Sequence, residues 1–460
     1  MSPQAVALPL GPIVACLATA LMWFYGSNGA DAAITLGITL WVVVWWVFEP
    51  IPIPVTSLIP LALLPMFGIL TPSELGAAYG APLVLLLLGG FLLATALEKS
   101  GAHRRIALTM VRAFGGGSSR RLVFGFMTAS AVLSMWISNT ATVIMLLPVA
   151  IAVLDASDDA NLATPLLLGI AYGASIGGMG TPIGTPPNVV FMGVYEEVTG
   201  TSIGFAQWMA WALPVVIVLL PIAGLWVTRK LTHAGHTDLP EVGAWSTAEK
   251  RVFVVFALTA LAWITRSEPF GGWSTLLGVP YTNDAIVAFI GVIALFLVPN
   301  GKGEKLLDWD TASSIPWGML ILFGAGISIA SAFMNSGLSD SIGQNLQSLS
   351  ALNLFVMIAM ICLAVTFLTE VTSNTATTTL LMPILAAAAV GASADPKLFM
   401  IPAALSASCA FMLPVATPPN LITFSAGRFS IATMAREGFA LNLLGVLTIS
   451  SLTYFILGSQ

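Results

Sequence analysis

Apolar residues run along the chain in long blocks separated by short polar segments. Blocks of this length predict helices rather than strands. Eleven spans are read at about residues 10–26, 33–48, 53–70, 82–98, 164–193, 206–228, 249–265, 283–299, 315–335, 397–425 and 437–457. Two further stretches, 122–154 and 350–391, are interrupted near their middles by polar residues, which leaves halves of about 14 to 20 residues. A helix needs about 20 residues to cross a bilayer. Halves of this kind, joined by polar residues, predict two re-entrant hairpins that turn back at mid-depth.

The two interruptions are the same string. Ser138-Asn139-Thr140-Ala141-Thr142 and Ser373-Asn374-Thr375-Ala376-Thr377 stand 235 residues apart. A second pair, Thr185-Pro186-Pro187-Asn188 and Thr417-Pro418-Pro419-Asn420, is separated by 232. In addition, "LLGGFLLATALEKSG" (87–101) aligns with "LFGAGISIASAFMNSG" (322–337). Two motifs in one order at nearly one offset mark an internal repeat. Five spans and a hairpin between the copies reverse the second one, so the expectation is inverted-topology repeats with a site at mid-membrane. The organisation read from this is an N-terminal helix over 1–32, a first repeat over 33–232 with an inward-opening hairpin, a cytoplasmic linker over 233–248, and a second repeat over 249–460 with an outward-opening hairpin.

Composition fixes the solvent. Of the 460 residues 57% are hydrophobic and 8% charged, against about 25% charged in a soluble domain. No room is left for a soluble enzymatic or nucleic-acid-binding domain, and no span carries a nucleophile, base and orienter together. Cys16, Cys362 and Cys409 are scattered, which suits core positions rather than disulfides or a metal site. The first apolar segment lacks the basic start and cleavage site of a signal peptide and is expected to be retained. The loops at 99–121, 229–251, 300–310 and 426–436 hold 14 of the 16 Lys and Arg, leaving Arg266 and Lys397. By the positive-inside rule these loops and the N-terminus are cytoplasmic and the C-terminus is outside. Trp41, Trp45, Trp46, Trp208, Trp211, Trp309 and Trp317 read as interface anchors, and His103, His233 and His236 as solvated loop residues. "FGGGSS" (114–119) lacks the Lys of a phosphate loop and reads as a connector. "GASIGGMG" (173–180) fits either tight helix packing or a moving segment.

The repeated motifs have a definite chemistry. Ser, Asn and Thr cap helix N-termini, and Pro is favoured at the first helical position. Each motif therefore starts a half-helix whose free N–H groups and positive dipole end favour an anion. The arms that end at the same tips offer unpaired carbonyls, which suit a small cation. No Lys or Arg falls within the core of a span. An anionic substrate there must be met by dipoles, neutral donors and co-bound cations, which predicts sodium coupling. Glu370, three residues before the second Ser-Asn-Thr, reads as a local cap rather than a proton carrier, and Glu49 lies at a span end.

With both Ser-Asn-Thr motifs, both Thr-Pro-Pro-Asn motifs and "ASCAFMLPVATPPNLI" (407–422), the chain resembles the divalent-anion:sodium symporters, including the INDY-type dicarboxylate transporters, over its whole length. That resemblance implies an all-α membrane protein of eleven transmembrane helices and two opposed hairpins, a homodimer in a bacterial inner membrane, and a mobile transport unit that moves against a fixed scaffold as an elevator. It places a first sodium around Ser134, Ser138, Asn139 and Gly184, and a second around Thr369, Thr372, Ser373, Asn374 and Ala416. Substrate carboxylates would meet Asn139, Thr140, Asn374, Thr375 and Thr417, with Pro418 alongside. The expected activity is sodium-coupled import of succinate, fumarate or malate. Rivals are sodium-independent dicarboxylate exchange and sodium-coupled citrate or sulfate transport. An ion antiporter or arsenite-type pump would call for an ionisable residue at the tips, and an anion channel fits poorly with tips that converge on one enclosed site.

Overall fold

The structure, a computed structural model, describes residues 3–25, 29–114, 118–232, 243–267, 271–345 and 353–458. In chain order the first half contains α1 (Pro3–Tyr25), α2 (Ala30–Phe48), α3 (Ile53–Thr56), α4 (Leu58–Met66), α5 (Pro72–Tyr79), α6 (Pro82–Ser100), α7 (Ala102–Phe114), α8 (Ser119–Ser134), α9 (Asn139–Asp155), α10 (Ala163–Gly178), α11 (Pro186–Thr199) and α12 (Phe205–Thr228). The second half contains α13 (Thr247–Ile264), α14 (Gly272–Leu276), α15 (Asp284–Leu297), α16 (Trp309–Ala312), α17 (Trp317–Asn335), α18 (Leu338–Asn345), α19 (Leu354–Thr369), α20 (Asn374–Gly391), α21 (Lys397–Ala407), a 3-10 turn at Pro414–Ala416, α22 (Pro418–Ser425) and α23 (Ile431–Leu457). Among the described residues no strand forms beyond an isolated bridge between Pro299 and Lys305.

Helix pairs α8–α9 and α19–α20 turn at the two Ser-Asn-Thr strings, and both expected breaks divide their spans, α10 from α11 and α21 from α22; one arm, α20, is itself long and apolar enough to cross, unlike an arm that turns back at mid-depth. Seven segments of the described residues are helical, long and apolar enough to cross a bilayer: Gln4–Phe24, Ala30–Phe48, Pro72–Ser100, Phe205–Thr228, Trp317–Asn335, Asn374–Gly391 and Ile431–Leu457. Others among the eleven expected spans are shorter. The stretch read as 53–70 is two helices ending at Met66, because Pro52, Pro54, Pro60 and Pro65 interrupt the backbone ladder. At the junction the Ser57 hydroxyl donates back to the Ile53 carbonyl (2.8 Å) and accepts from Trp46 Nε1 (3.1 Å).

The segment 99–121 is not a plain loop. Ala107, Leu108 and Val111 bury one face of α7 while Arg104 and Arg112 stand on the other, an amphipathic pattern that folds as a helix. Gly101, at φ +77°, adopts the left-handed conformation that ends α6 and allows the turn into α7. His103 lies within α7, partly buried with Nδ1 3.1 Å from the Leu97 carbonyl, rather than in a solvated loop. The helix α18 follows α17 as α7 follows α6, as the aligned strings at 87 and 322 imply. Trp46 and Trp208 are fully buried rather than interfacial, and Trp208 Nε1 donates to the Met179 carbonyl at 2.9 Å. His233, His236 and most of the expected linker 233–248 lie outside the described residues, as do residues 115–117 of the "FGGGSS" connector.

Packing brings the halves together at the tips. The arm α9 packs against α22, α20 packs against α11, and α10 runs along α8 and α22. The α8–α10 seam is close because of Gly173 and Gly177: a Cβ at Gly177 would lie 2.1 Å from the Ala131 carbonyl oxygen. Part of "GASIGGMG" is thus tight packing, and its last residues form the break itself. Ion pairs gather toward the ends of the spans. Lys99–Asp308, Arg105–Glu249, Arg229–Glu437 and Arg428–Asp155 use cations of the basic loops, whereas Arg266–Asp284 and Lys397–Asp395 pair the other two.

Candidate functional site

Each of the four motifs begins a helix. Ser138 caps α9, accepting from Ala141 N at 3.1 Å, and Ser373 occupies the equivalent position on α20. Thr185 and Thr417 cap α11 and α22, each followed by two prolines at the first helical positions, where the missing N–H costs nothing. Thr417 accepts from Asn420 N at 3.4 Å; the Thr185 hydroxyl makes no such cap bond.

The first hairpin tip and the first break share a cluster of oxygens. The Ser134 hydroxyl donates to Asn139 Oδ1 across the tip. A Cβ placed at Gly184 would lie 2.5 Å from the Gly178 carbonyl oxygen and 3.0 Å from that of Ser134; one at Gly178 would lie 2.7 Å from Asn139 Oδ1 and 3.3 Å from the Gly184 carbonyl oxygen. Three carbonyls and an amide oxygen therefore crowd together at an approach that only the two glycines allow. Oxygen donors without a protein cation beside them suit a hard monovalent ion such as sodium, and Ser134, Gly178, Gly184 and Asn139 are the residues that would hold it. Ser138 stands at the rim as the cap of α9.

At the second tip the pattern repeats at the same offset. The Thr369 hydroxyl lies 2.6 Å from Asn374 Oδ1 and 3.1 Å from the Ala407 carbonyl oxygen. Ala416 is buried in the turn before Thr417, and Thr375 and Thr417 are buried at their helix starts, while Pro418 is exposed. Asn139, Thr140 and Asn374 are half-buried. Thr372 faces elsewhere: its hydroxyl donates to the Leu368 carbonyl and pairs with Thr377, lining a small cavity with Val43, Trp46 and Val47 of α2.

Other residues build the site in roles that the sequence reading assigned only to Glu370. Asn188 Nδ2 donates to the carbonyls of Gly178 (3.0 Å) and Thr181 (2.7 Å), and Asn420 Nδ2 to those of Ala410 (2.9 Å) and Leu413 (3.0 Å). Each asparagine clips its break at ten and seven residues upstream, so the last letter of each Thr-Pro-Pro-Asn motif is the staple of the unwound segment. A fully buried amide three residues into a helix was the available signal. Glu370 is a cap, as its position suggests: Oε1 accepts from Phe411 N (2.7 Å), Met412 N (2.9 Å) and Asn442 Nδ2 (2.7 Å), and Oε2 from Leu413 N (3.1 Å). The Tyr172 hydroxyl donates to the Phe411 carbonyl at 2.8 Å, tying α10 of the first half to the second break.

Fold and site together define a polytopic helical membrane protein of the transporter kind, with paired helix breaks at which N-termini and carbonyl ends meet. The fold is shared with the YdaH transporter of Alcanivorax borkumensis (TM-score 0.62, 16% identity, 86% of this chain and 89% of that one) and with MtrF of Neisseria gonorrhoeae (TM-score 0.62, 14% identity, 98% and 94%). Residues 11–457 match the family described as the sodium:sulfate symporter transmembrane region, and the chain belongs to that family. It is 40% identical over 479 residues to a sodium-dependent dicarboxylate transporter, SdcS, of Staphylococcus saprophyticus, covering 98% of this chain and 91% of the relative. A Staphylococcus aureus protein of the same name is 39% identical over 480 residues, covering 99% and 91%.

Proposed function

We propose that the protein is a sodium-coupled importer of C4-dicarboxylates such as succinate, fumarate and malate. The observation that carries this reading is the matched pair of breaks. Ser134 with Asn139 and Thr369 with Asn374 bond across tips 235 residues apart, and each adjoining break is clipped by the asparagine of its Thr-Pro-Pro-Asn motif. The relatives' shared name, a sodium-dependent dicarboxylate transporter, points to the same substrate and ion.

In this reading Asn139, Thr140, Asn374, Thr375 and Thr417 present donors to a substrate carboxylate at each end, with Pro418 beside them. The first sodium rests among the oxygens of Ser134, Gly178, Gly184 and Asn139, near Ser138. The second lies around Thr369, Asn374 and the Ala407 carbonyl, near Ser373 and Ala416. Sodium supplies the positive charge that the site's own residues lack, so the dianion and the ions stabilise one another. The residues 33–232 and 249–460 form inverted repeats, the N-terminus is cytoplasmic and the C-terminus outside. The hairpins and broken spans move as a unit against a scaffold that includes α2, α4 and α17, in a homodimer.

Purified protein in liposomes, given labelled succinate with and without an inward sodium gradient, tests this. Concentrative uptake that requires the gradient is expected. Equal exchange against internal succinate without sodium would overturn the coupling, and preference for sulfate over succinate would overturn the substrate assignment.

A further inference from the structure

The two breaks are related by sequence yet differ in conformation, and one side chain accounts for the difference. In a continuous helix the amides of Phe411, Met412 and Leu413 would donate to the carbonyls of Ala407, Ser408 and Cys409. Glu370 takes all three, so α21 stops at Ala407 and those carbonyls lose their helical partners. Three successive amides around a carboxylate form an anion nest, and the Asn442 amide closes it from α23. One of the released carbonyls, that of Ala407, lies 3.1 Å from the Thr369 hydroxyl, which also bonds Asn374 Oδ1. The residue that holds the unwound segment is therefore the neighbour of one that frames the candidate cation site.

The first half has no counterpart. The position 235 residues before Glu370 is Met135, whose thioether is at most a weak, uncharged acceptor. There the backbone closes on itself: Met179 N donates to the Ile176 carbonyl (3.3 Å) and Gly180 N to that of Gly177 (2.8 Å). Only one of two pseudo-equivalent cation sites thus has a carboxylate beside it and carbonyls freed by that carboxylate.

We infer that Glu370, held by Asn442, is a positioning residue that makes the second cation site the tighter of the two, so that sodium fills it first; this rests on the sodium-coupled reading above. A buried anion next to the site lowers the cost of bringing a cation out of water, and it holds the carbonyls that replace part of the ion's hydration shell. The mechanism is electrostatic and geometric. It involves no proton transfer.

The test is Glu370→Gln in the full chain, with two readouts. One is sodium-dependent thermal stabilisation of the purified protein without substrate. The other is the sodium dependence of succinate uptake in liposomes. Loss of one unit charge beside the site is expected to raise half-saturating sodium roughly tenfold or more, while the KM for succinate at saturating sodium stays within about threefold and uptake recovers as sodium rises. A purely structural role would instead lower uptake at every sodium concentration. Asn442→Leu, which keeps the charge and removes one donor, should give a smaller shift in the same direction, and Glu370→Asp should lie nearer the wild type than Glu370→Gln. Unchanged half-saturating sodium in Glu370→Gln overturns the inference. If that variant does not fold, wild-type sodium dependence in both Asn442→Leu and Glu370→Asp overturns it instead. Absence of any sodium stabilisation in the wild type would be a failure of the sodium-coupled reading itself, which separates the two outcomes.

Discussion

Gly184→Ala is the sharpest single perturbation of the first oxygen cluster. The added Cβ would stand 2.5 Å from the Gly178 carbonyl oxygen and 3.0 Å from the Ser134 carbonyl oxygen, whereas ordinary carbon–oxygen contacts begin at about 3.3 Å. Both neighbours are backbone atoms, so relief requires the break or the hairpin tip to move by most of an ångström. Overpacking of this kind costs about 1–3 kcal/mol. In the proposed reading these oxygens hold the first sodium, so a shift of either backbone segment moves the cation's donors. Were the whole of that cost lost from sodium binding, half-saturating sodium would rise about 5- to 150-fold. Gly76→Ala in α5 is the control, since a Cβ there meets nothing within 4 Å and should leave the melting temperature level or slightly higher. Sodium titrations of succinate uptake in liposomes, run beside thermal melts of both variants, measure the effect. Wild-type half-saturating sodium in a folded Gly184→Ala protein would refute the assignment of this cluster to a cation.

Asn139→Ala and Asn374→Ala each remove a tip amide, and each is expected to abolish measurable succinate uptake with normal expression; retained uptake in either would remove that residue from the site. Asp308 provides a pH-dependent prediction. Its bond to Lys99, helped by Thr311, holds its carboxyl down at about 2 from an ordinary 3.8. A depressed carboxylate stabilises the fold above its unfolded pKa and loses that contribution as pH falls toward its folded one. The melting temperature of Asp308→Asn should therefore sit below wild type at neutral pH, with the gap closing between about pH 4 and pH 2; a gap independent of pH would contradict the pairing. Topology can be read in whole cells carrying Cys16→Ser. A membrane-impermeant thiol reagent should label Tyr281→Cys, at a position 93% exposed, and spare Lys302→Cys; the reverse pattern would invert the orientation.

Most of the fold was legible because the hydrophobic blocks are long and the interruptions are spelled alike. The hairpins, both divided spans and all four helix starts follow from Ser, Asn, Thr and Pro acting at N-termini. What composition could not show is where an apolar run breaks without a polar marker. The block 53–70 looked continuous, and its prolines had to be weighed against hydropathy to see α3 and α4. Conversely α7 hid among arginines, since its apolar stripe is only one face wide. The backbone oxygens of the candidate site are the least legible part. Gly178 contributes a carbonyl to the first cluster, yet a glycine inside "GASIGGMG" gives no hint whether it serves packing, as Gly177 does, or coordination. The staples Asn188 and Asn420 were inside the quoted motifs, but only the three-dimensional register reveals that their amides reach back across the breaks.

In the proposed reading, inverted repeats explain how one chain makes facing sites of similar shape, and they also set a limit. Two halves that matched in every residue would give a site with no built-in distinction between its two ends or its two ions. Any preference must come from positions where the copies differ. Two such differences lie at the tips. Glu370 stands where the first half has Met135, and Thr372 where it has Ile137. The first ties down the second break and places a carboxyl group beside it. The second gives Thr377 a hydroxyl partner on the face that meets α2, while its counterpart Thr142 is buried with no bonded partner. A buried hydroxyl without a partner costs about 1–3 kcal/mol, and the second hairpin carries one of its own at Thr366, so the difference between the tips lies in charge and in where the hydroxyls pair. On this reading polarity originates in a few substitutions at the tips, superimposed on a symmetry that by itself would be neutral to direction.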